Sequence, residues 1–154
     1  MHSTRKVKDD LIYVGGSDRR LSRFENLFPI PKGVSYNSYV LLDEKTVLFD
    51  TADESISRQY IENVVHALDG RPLDYMIVQH MEPDHCAMID AIMSRYPEAK
   101  LVCTAKAAQN VRAVLRPRCF RPHARRQGRR QALHRASIPC IRARADGYTG
   151  RRSW

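Results

Sequence analysis

The segment of this chain that carries the most chemistry is His80-Met81-Glu82-Pro83-Asp84-His85, with two imidazoles and two carboxylates. In an extended segment alternate residues face the same side, so His80, Glu82 and Asp84 can converge on one pocket. His85 would approach from a different direction. Imidazole and carboxylate ligands without a thiolate suit iron or manganese, and zinc also accepts them. The spacing allows His80 and Glu82 to serve one metal ion and Asp84 and His85 a second.

Two protein ligands for each ion are too few for a complete catalytic site, so further ligands would have to come from elsewhere. The alternative is an ordinary polar loop, in which Asp84 caps the next helix and both histidines are merely exposed. The segment follows a predicted buried strand and precedes a helix, which is where α/β folds place their ligands. This position favours the metal site over the polar loop.

Apolar periodicity predicts the elements that would position this loop. A short strand comes first, then an irregular stretch over 17–35, then a β-hairpin, and helices and strands alternate after it. The strands have few polar positions, so we expect both of their faces to be covered. The predicted order is a mixed α/β sheet with covering helices. The predicted strands are 10–15, 36–42, 46–50, 73–79 and 100–104, and the predicted helices are 56–68, 88–96 and 105–115.

Length and composition bound the class of protein. The chain has 154 residues, of which 43% are hydrophobic, so one domain with a buried core is expected. Its polar start indicates no signal peptide, and no apolar run is long enough to cross a bilayer. The four cysteines form no C-x-x-C pair, which argues against a zinc knuckle or a secreted disulfide framework. A cytoplasmic location, without membrane contact, is the expectation.

The net charge of +9 is confined to the end of the chain. Residues 1–115 carry 14 basic and 16 acidic residues, whereas residues 116–154 carry 12 arginines, no lysine and a single acid, Asp146. Such a composition predicts a disordered tail. The tail is interpreted either as an arginine-rich arm for RNA or another polyanion, or as sequence read out of frame from a GC-rich gene, and the second is favoured.

The segment Val78–His85 resembles the iron-binding motif of the flavodiiron proteins. These are A-type flavoproteins with a metallo-β-lactamase-like domain followed by a flavodoxin-like domain. The early segments Gly33–Tyr39 and Val47–Thr51 resemble the same family, and the likeness extends over about residues 10–115. Related hydrolases of this fold usually carry histidine where Glu82 stands, and they bind zinc. The motif H-x-E-x-D-H is therefore specific.

The resemblance implies a metallo-β-lactamase-like αββα sandwich with a non-haem di-iron site. In that site His80 and Glu82 would bind one iron, and Asp84 and His85 would bind the other. Complete members add a histidine to each iron and a bridging aspartate. They carry FMN in the second domain and work as head-to-tail homodimers. With electrons from a flavodoxin- or rubredoxin-type donor, they reduce O₂ to water or NO to N₂O.

The sequence departs from this family at Arg116. No counterpart of the later ligands is recognisable, since His123, His134 and Asp146 lie in unmatched surroundings, and the flavodoxin-like domain is absent. We therefore expect residues 1–115 to be the first half of the di-iron domain, a truncated fragment with little or no activity. Residues 116–154 would be an unrelated tail.

Three other readings stay open: a metallo-β-lactamase-fold zinc hydrolase, which Glu82 argues against, a nucleic-acid-binding protein that uses the arginine-rich tail, and the non-functional product of a disrupted gene. Asp50 resembles a structural aspartate near the metal pocket, for which hydrogen bonding is favoured over metal ligation. Cys86 adjoins His85 but has no evident base, so we interpret it as a small residue at a helix start.

Overall fold

The computed structural model describes residues 2–24 and 26–114. Most described residues between 36 and 114 lie in regular elements, which alternate as the periodicity predicts. A single 3-10 turn over Glu54–Ile56 precedes the first helix. The strands are β1 (Arg5–Lys6), β2 (Leu11–Tyr13), β3 (Gly16–Asp18), β4 (Arg23–Phe24), β5 (Phe28–Pro29), β6 (Val34–Tyr36), β7 (Tyr39–Leu42), β8 (Thr46–Phe49), β9 (Tyr75–Val78) and β10 (Lys100–Cys103), and the helices are α1 (Ser57–Leu68), α2 (Pro83–Cys86), α3 (Ile89–Arg95) and α4 (Ala105–Val114).

The central feature is a six-stranded mixed sheet in the order β1-β2-β7-β8-β9-β10. The pairs β1/β2, β2/β7 and β7/β8 are antiparallel, whereas β8/β9 and β9/β10 are parallel. Parallel neighbours need a crossover connection, and α1 and the α2–α3 segment provide the two crossovers. The predicted hairpin and the predicted mixed α/β sheet are both confirmed.

One face of the sheet carries the hydrophobic core. Val40, Leu48, Met76 and Leu101 stand side by side on four adjacent strands, and all four are buried. The inward residues of α1, α3 and α4 belong to the same hydrophobic cluster. Each helix contributes an apolar stripe at helical spacing, so burial on this face explains why the helices form.

The opposite face of the sheet is only partly covered. It carries Tyr39, Phe49, Ile77 and Val102, which also stand in register, and each is partly exposed. The expectation that both faces are covered is therefore met on one face only within the described residues. A sheet with one covered face is what a partial αββα sandwich presents.

The segment expected to be irregular, 17–35, contains short strands. β3 pairs with β6, and β4 pairs with β5, in two separate two-stranded sheets. Tyr36 therefore ends β6, and it does not belong to the hairpin strand β7 as the apolar run suggested. Strands of two or three residues depend on pairing with distant partners, and a local apolar pattern does not reveal them.

Helix α1 follows a capped 3-10 turn and ends at two residues with positive φ. The Asp53 carboxylate accepts a hydrogen bond from the Ser55 backbone N–H at 2.8 Å and so caps the preceding 3-10 turn. At the other end Asp69 and Gly70 both adopt positive φ, which closes the helix. Among the described residues, no helix is long and apolar enough to cross a membrane.

Gly15 lies directly before β3 and close to Tyr36, the last residue of β6. A Cβ at Gly15 would collide with the carbonyl oxygen of Tyr36, whereas a Cβ at Gly70 would meet open space but at a φ of +82°. We expect Gly15→Ala to lower the free energy of unfolding by about 3 kcal/mol and Gly70→Ala by about 1 kcal/mol. Urea unfolding of the two variants measures this difference, and equal losses would contradict the close approach.

The predicted disordered tail, residues 116–154, lies outside the described part of the chain. Residue 115, at which the predicted first unit ends, lies outside it as well.

Candidate metal centre

The loop that holds the candidate ligands connects β9 to α2. The backbone stays extended through Glu82, which has φ −71° and ψ 146° and stands as the N-cap of α2. Pro83 then takes the first position of the helix, where its fixed φ and missing N–H are both tolerated. The loop leaves the carboxyl end of β9, the sheet edge at which α/β folds gather their ligands.

The end of β8 holds α2 against this edge. Thr51 donates from its backbone N–H and from its hydroxyl to the carbonyl oxygen of His85, both at 2.9 Å. The same hydroxyl accepts from the Met88 N–H at 3.3 Å. The His85 backbone is therefore anchored to a buried residue rather than to solvent.

The four predicted ligand residues come together as two pairs. His80 Nε2 lies 3.4 Å from Glu82 Oε2, and His85 Nε2 lies 3.4 Å from Asp84 Oδ2. The two imidazole rings join the pairs, with centroids 3.9 Å apart. The first pair is largely exposed, whereas the side chains of Asp84 and His85 are only 19% and 23% exposed.

Two expectations about this loop were wrong in their geometry. The extended path ends at Glu82 because Pro83 begins a helical turn, so Asp84 does not continue the alternation of His80 and Glu82. The ring of His85 lies against that of His80. Asp84 does not cap α2 either, because it lies in the first turn of the helix, and no side chain caps that end.

Asp84 and His85, the inner pair, have buried polar atoms that a cation would satisfy. Asp84 Oδ1 and His85 Nδ1 are buried without a hydrogen-bond partner. His85 Nδ1 does lie 3.1 Å from Asp50 Oδ2, but that contact lacks the alignment of a hydrogen bond, so it is best described as an electrostatic contact. An unpaired buried carboxylate oxygen is costly, and a metal ion bound there would remove the cost.

The site is not a closed cage within the described residues. Among residues 2–24 and 26–114, no three His, Cys, Asp or Glu side chains are arranged to hold one ion together. Each of the two pairs therefore leaves most coordination positions to other ligands. The residues present fit a metal as partial ligand sets, and the fit is better at Asp84 and His85 than at the exposed pair.

Asp50 supports the start of the loop through hydrogen bonds to Gln79. It is buried, has φ 53°, and accepts hydrogen bonds from the Gln79 backbone N–H at 2.8 Å and from Gln79 Nε2 at 3.0 Å. Its own carbonyl accepts from the hydroxyls of Ser38 at 3.1 Å and Tyr60 at 3.2 Å. Burial strongly raises the pKa of Tyr60, which therefore stays a neutral donor. The hydrogen-bonding role favoured for Asp50 agrees with this arrangement.

Gln79 and Thr51 are the organising residues that sequence reasoning missed. Gln79 is a polar residue directly after a buried strand, and Thr51 is a hydroxyl directly after Asp50. Both positions follow a strand at the edge where ligands collect, and that was the available signal.

The substitution Asp50→Asn tests how the carboxylate supports the loop. Asparagine tolerates positive φ, but its neutral carbonyl is a weaker acceptor than the buried carboxylate for the Gln79 backbone N–H, so we expect a loss of about 1–3 kcal/mol in unfolding free energy. Asp53→Asn is the matched control, since asparagine is an equally good cap and the expected change is near zero. Thermal and urea unfolding of both metal-free variants compare them, and a neutral Asp50→Asn would contradict the role assigned to Asp50.

Cys86 follows His85 but is poorly suited to act as a nucleophile. Its Sγ donates to the carbonyl oxygen of Met81 at 3.4 Å. Burial raises the pKa of the Cys86 thiol, and the charge of Asp84 raises it further, so the reactive thiolate is disfavoured. This agrees with the expectation that Cys86 is not a nucleophile, but Cys86 is the last residue of α2 and does not stand at a helix start.

Comparison with known families assigns the fold. Residues 34–143 match the family model described as ODP family beta lactamase. The chain belongs to this family. The matched stretch includes the hairpin, the loop with His80, Glu82, Asp84 and His85, and all four helices.

Curated relatives of this chain include flavorubredoxins. The chain is 37% identical over 109 residues to the anaerobic nitric oxide reductase flavorubredoxin of Aliivibrio fischeri and 35% identical over 109 residues to that of Vibrio vulnificus. Each match covers 70% of this chain but 22% of the relative. The chain thus spans little more than a fifth of the length of these relatives.

Solved structures of similar proteins agree with this fold. Rubredoxin oxygen:oxidoreductase from Desulfovibrio gigas superposes with a TM-score of 0.68 at 27% identity, over 74% of this chain and 28% of that one. The flavodiiron protein of Giardia intestinalis superposes with a TM-score of 0.65 at 22% identity, over 73% and 27%, and supports the fold alone. The resemblance to flavodiiron proteins and the partial metallo-β-lactamase-like fold are confirmed.

Proposed function

We propose that this chain carries the first ligand loop of a non-haem di-iron oxidoreductase of the flavodiiron type, which reduces O₂ to water, NO to N₂O, or both. The observation that carries the proposal is the buried, unpartnered Asp84 Oδ1 beside His85. The similarity to flavorubredoxins and to a rubredoxin oxygen:oxidoreductase supports the reaction class.

His80 and Glu82 would hold one iron, and Asp84 and His85 the other. A bound di-iron centre would supply the open positions at which a diatomic molecule is reduced, with electrons that an external donor provides. The chain's own contribution is to fix two carboxylates and two imidazoles at one sheet edge. Asp50 and Thr51 keep the inner pair in place through Gln79 and the His85 backbone.

Iron is favoured over zinc because of Glu82. Carboxylates are hard anionic ligands, and two of them with two imidazoles suit iron better than the histidine-rich sets of zinc hydrolases. Zn(II) binds more tightly than Fe(II) at most nitrogen and oxygen sites, so the activities of the Fe(II)-loaded and Zn(II)-loaded chain separate the two candidates better than affinity does. Ester or thioester hydrolysis by the Zn(II)-loaded chain would favour the hydrolase instead.

The remaining ligands and the flavin would lie outside residues 1–115. FMN would sit in a flavodoxin-like domain, electrons would come from a flavodoxin- or rubredoxin-type donor, and a homodimer would bring flavin and iron together. The lack of paired cysteine motifs supports a cytoplasmic location. Nucleic acid is not the proposed partner.

We expect the isolated chain to have little or no activity. The recombinant protein is loaded anaerobically with Fe(II), and O₂ or NO consumption is followed with reduced rubredoxin as the donor, beside a His85→Ala control. The expected rate equals that of the control, because incomplete ligand sets hold iron weakly. Sustained turnover that His85→Ala abolishes would show that the isolated chain is active, and it would leave the metal loop itself supported.

A further inference from the structure

A cavity lies between β3 and the start of α1, away from the metal loop. Its volume is about 680 Å³, within the usual range for small-molecule sites. Three arginines line it, Arg19, Arg20 and Arg58, together with several serine hydroxyls. None of the proposed metal ligands lines this cavity, so the di-iron chemistry does not explain it.

One of the three guanidinium groups is fixed by a buried carboxylate. The Asp18 side chain is 1% exposed and accepts from the Arg20 backbone N–H at 2.7 Å and from its Nε and Nη2 at 3.3 Å. Arg20 Nη2 also donates to the Ser55 carbonyl at 2.7 Å. Burial alone would raise the pKa of Asp18, but the hydrogen bonds from Arg20 and Ser55 lower it overall. The carboxylate therefore stays charged and holds Arg20 at the cavity wall.

The other two arginines keep donors available for a ligand. Arg58 donates from Nε to Glu62 at 3.1 Å, which leaves both of its Nη groups for other acceptors. Within the described part of the chain, no hydrogen bond or ion pair engages Arg19. The charges that line the cavity are three arginines against Asp18 and Glu62, so its surface is positive.

Planar guanidinium groups recognise phosphate oxygens with paired hydrogen bonds, which a single lysine ammonium does not reproduce. Serine hydroxyls match the hydroxyl groups of a sugar. We infer that this cavity binds a small phosphorylated sugar, with the phosphate on Arg19 and Arg58 and the sugar hydroxyls on the serines. The site is independent of the di-iron proposal and does not require bound metal.

The arginine-rich residues 116–154 would attract any phosphate, so the experiment must report where the ligand binds. Uniformly ¹⁵N-labelled full chain is titrated with ribose 5-phosphate, with ribose and with inorganic phosphate, and amide shifts are followed. Saturable shifts at Ser17, Ser57 and Arg58 are expected with ribose 5-phosphate, weaker binding with phosphate and none with ribose.

The double variant Arg19→Gln/Arg58→Gln should weaken ribose 5-phosphate binding by at least about tenfold, because each charge-assisted hydrogen bond contributes that much. Both side chains are on the surface, so the variant is expected to fold. Arg95→Gln, at the end of α3, is the matched control and should leave binding unchanged. Shifts confined to residues 116–154, or equal binding by the double variant, would overturn the inference, and equal weakening by Arg95→Gln would show non-specific attraction only.

Discussion

Asp84→Asn is expected to weaken Fe(II) binding by at least about tenfold while leaving the metal-free protein equally stable or more stable. The two effects have opposite signs because Asp84 Oδ1 is buried without a donor. In the absence of metal the contact of Asp84 with His85 leaves Oδ1 buried without a partner, and a neutral amide of the same shape lowers the cost of burying the charge. When metal is present, the asparagine variant lacks the anionic ligand that the Asp84 carboxylate provides.

Anaerobic Fe(II) titration measures the first effect, and urea unfolding in the presence of a chelator measures the second. Glu82→Gln is the informative comparison, because Glu82 is 65% exposed and its charge is already solvated. We expect Glu82→Gln to leave metal-free stability unchanged and to reduce Fe(II) affinity less than Asp84→Asn. A destabilised metal-free Asp84→Asn protein with normal iron binding would assign Asp84 to the fold instead of to the metal.

Met76→Ala is expected to lower the free energy of unfolding by about 2–5 kcal/mol. Met76 is fully buried on β9, in register with Leu48 and Leu101 on its two neighbours. Truncation would leave a cavity at the centre of the covered sheet face, directly before the loop that carries His80. Because the loop starts from the end of this strand, its geometry depends on the same packing.

Val7→Ala is the control for this prediction, since Val7 is 51% exposed and its truncation should change stability by less than about 0.5 kcal/mol. Urea unfolding followed by far-UV circular dichroism compares the two variants with the parent chain. If Met76→Ala cost as little as Val7→Ala, the covered face would not be the hydrophobic core, and the packing described for α1, α3 and α4 would be wrong.

The long elements were predictable from sequence because their patterns are local. The apolar stripe of α1 repeats at helical spacing over 12 residues and ends at Asp69 and Gly70, which the structure closes with positive φ. The hairpin of β7 and β8 has two β-rich runs and a short polar link. In each case every signal needed lies within the element itself.

The short strands and the loop geometry depend on information that is not local. β3 and β6 pair across 15 intervening residues, through contacts such as Ser17 Oγ with Ser35 Oγ at 3.1 Å. The loop changed direction at Pro83, where proline at the first helical position was a readable signal that the alternation argument overlooked. The types of the candidate ligands were visible in sequence, and their pairing needed the three-dimensional path of the chain.

The metal-loop proposal is tested most directly by proton NMR of the selectively ¹⁵N-histidine-labelled full chain during anaerobic Fe(II) titration. If His80 and His85 are ligands, their ring resonances become strongly hyperfine-shifted, while the rings of His2 and His66, which stack on each other with centroids 3.5 Å apart, keep their positions. Fe(II) that shifts His2 and His66, or the histidines beyond residue 115, and leaves His80 and His85 unchanged would contradict the proposal.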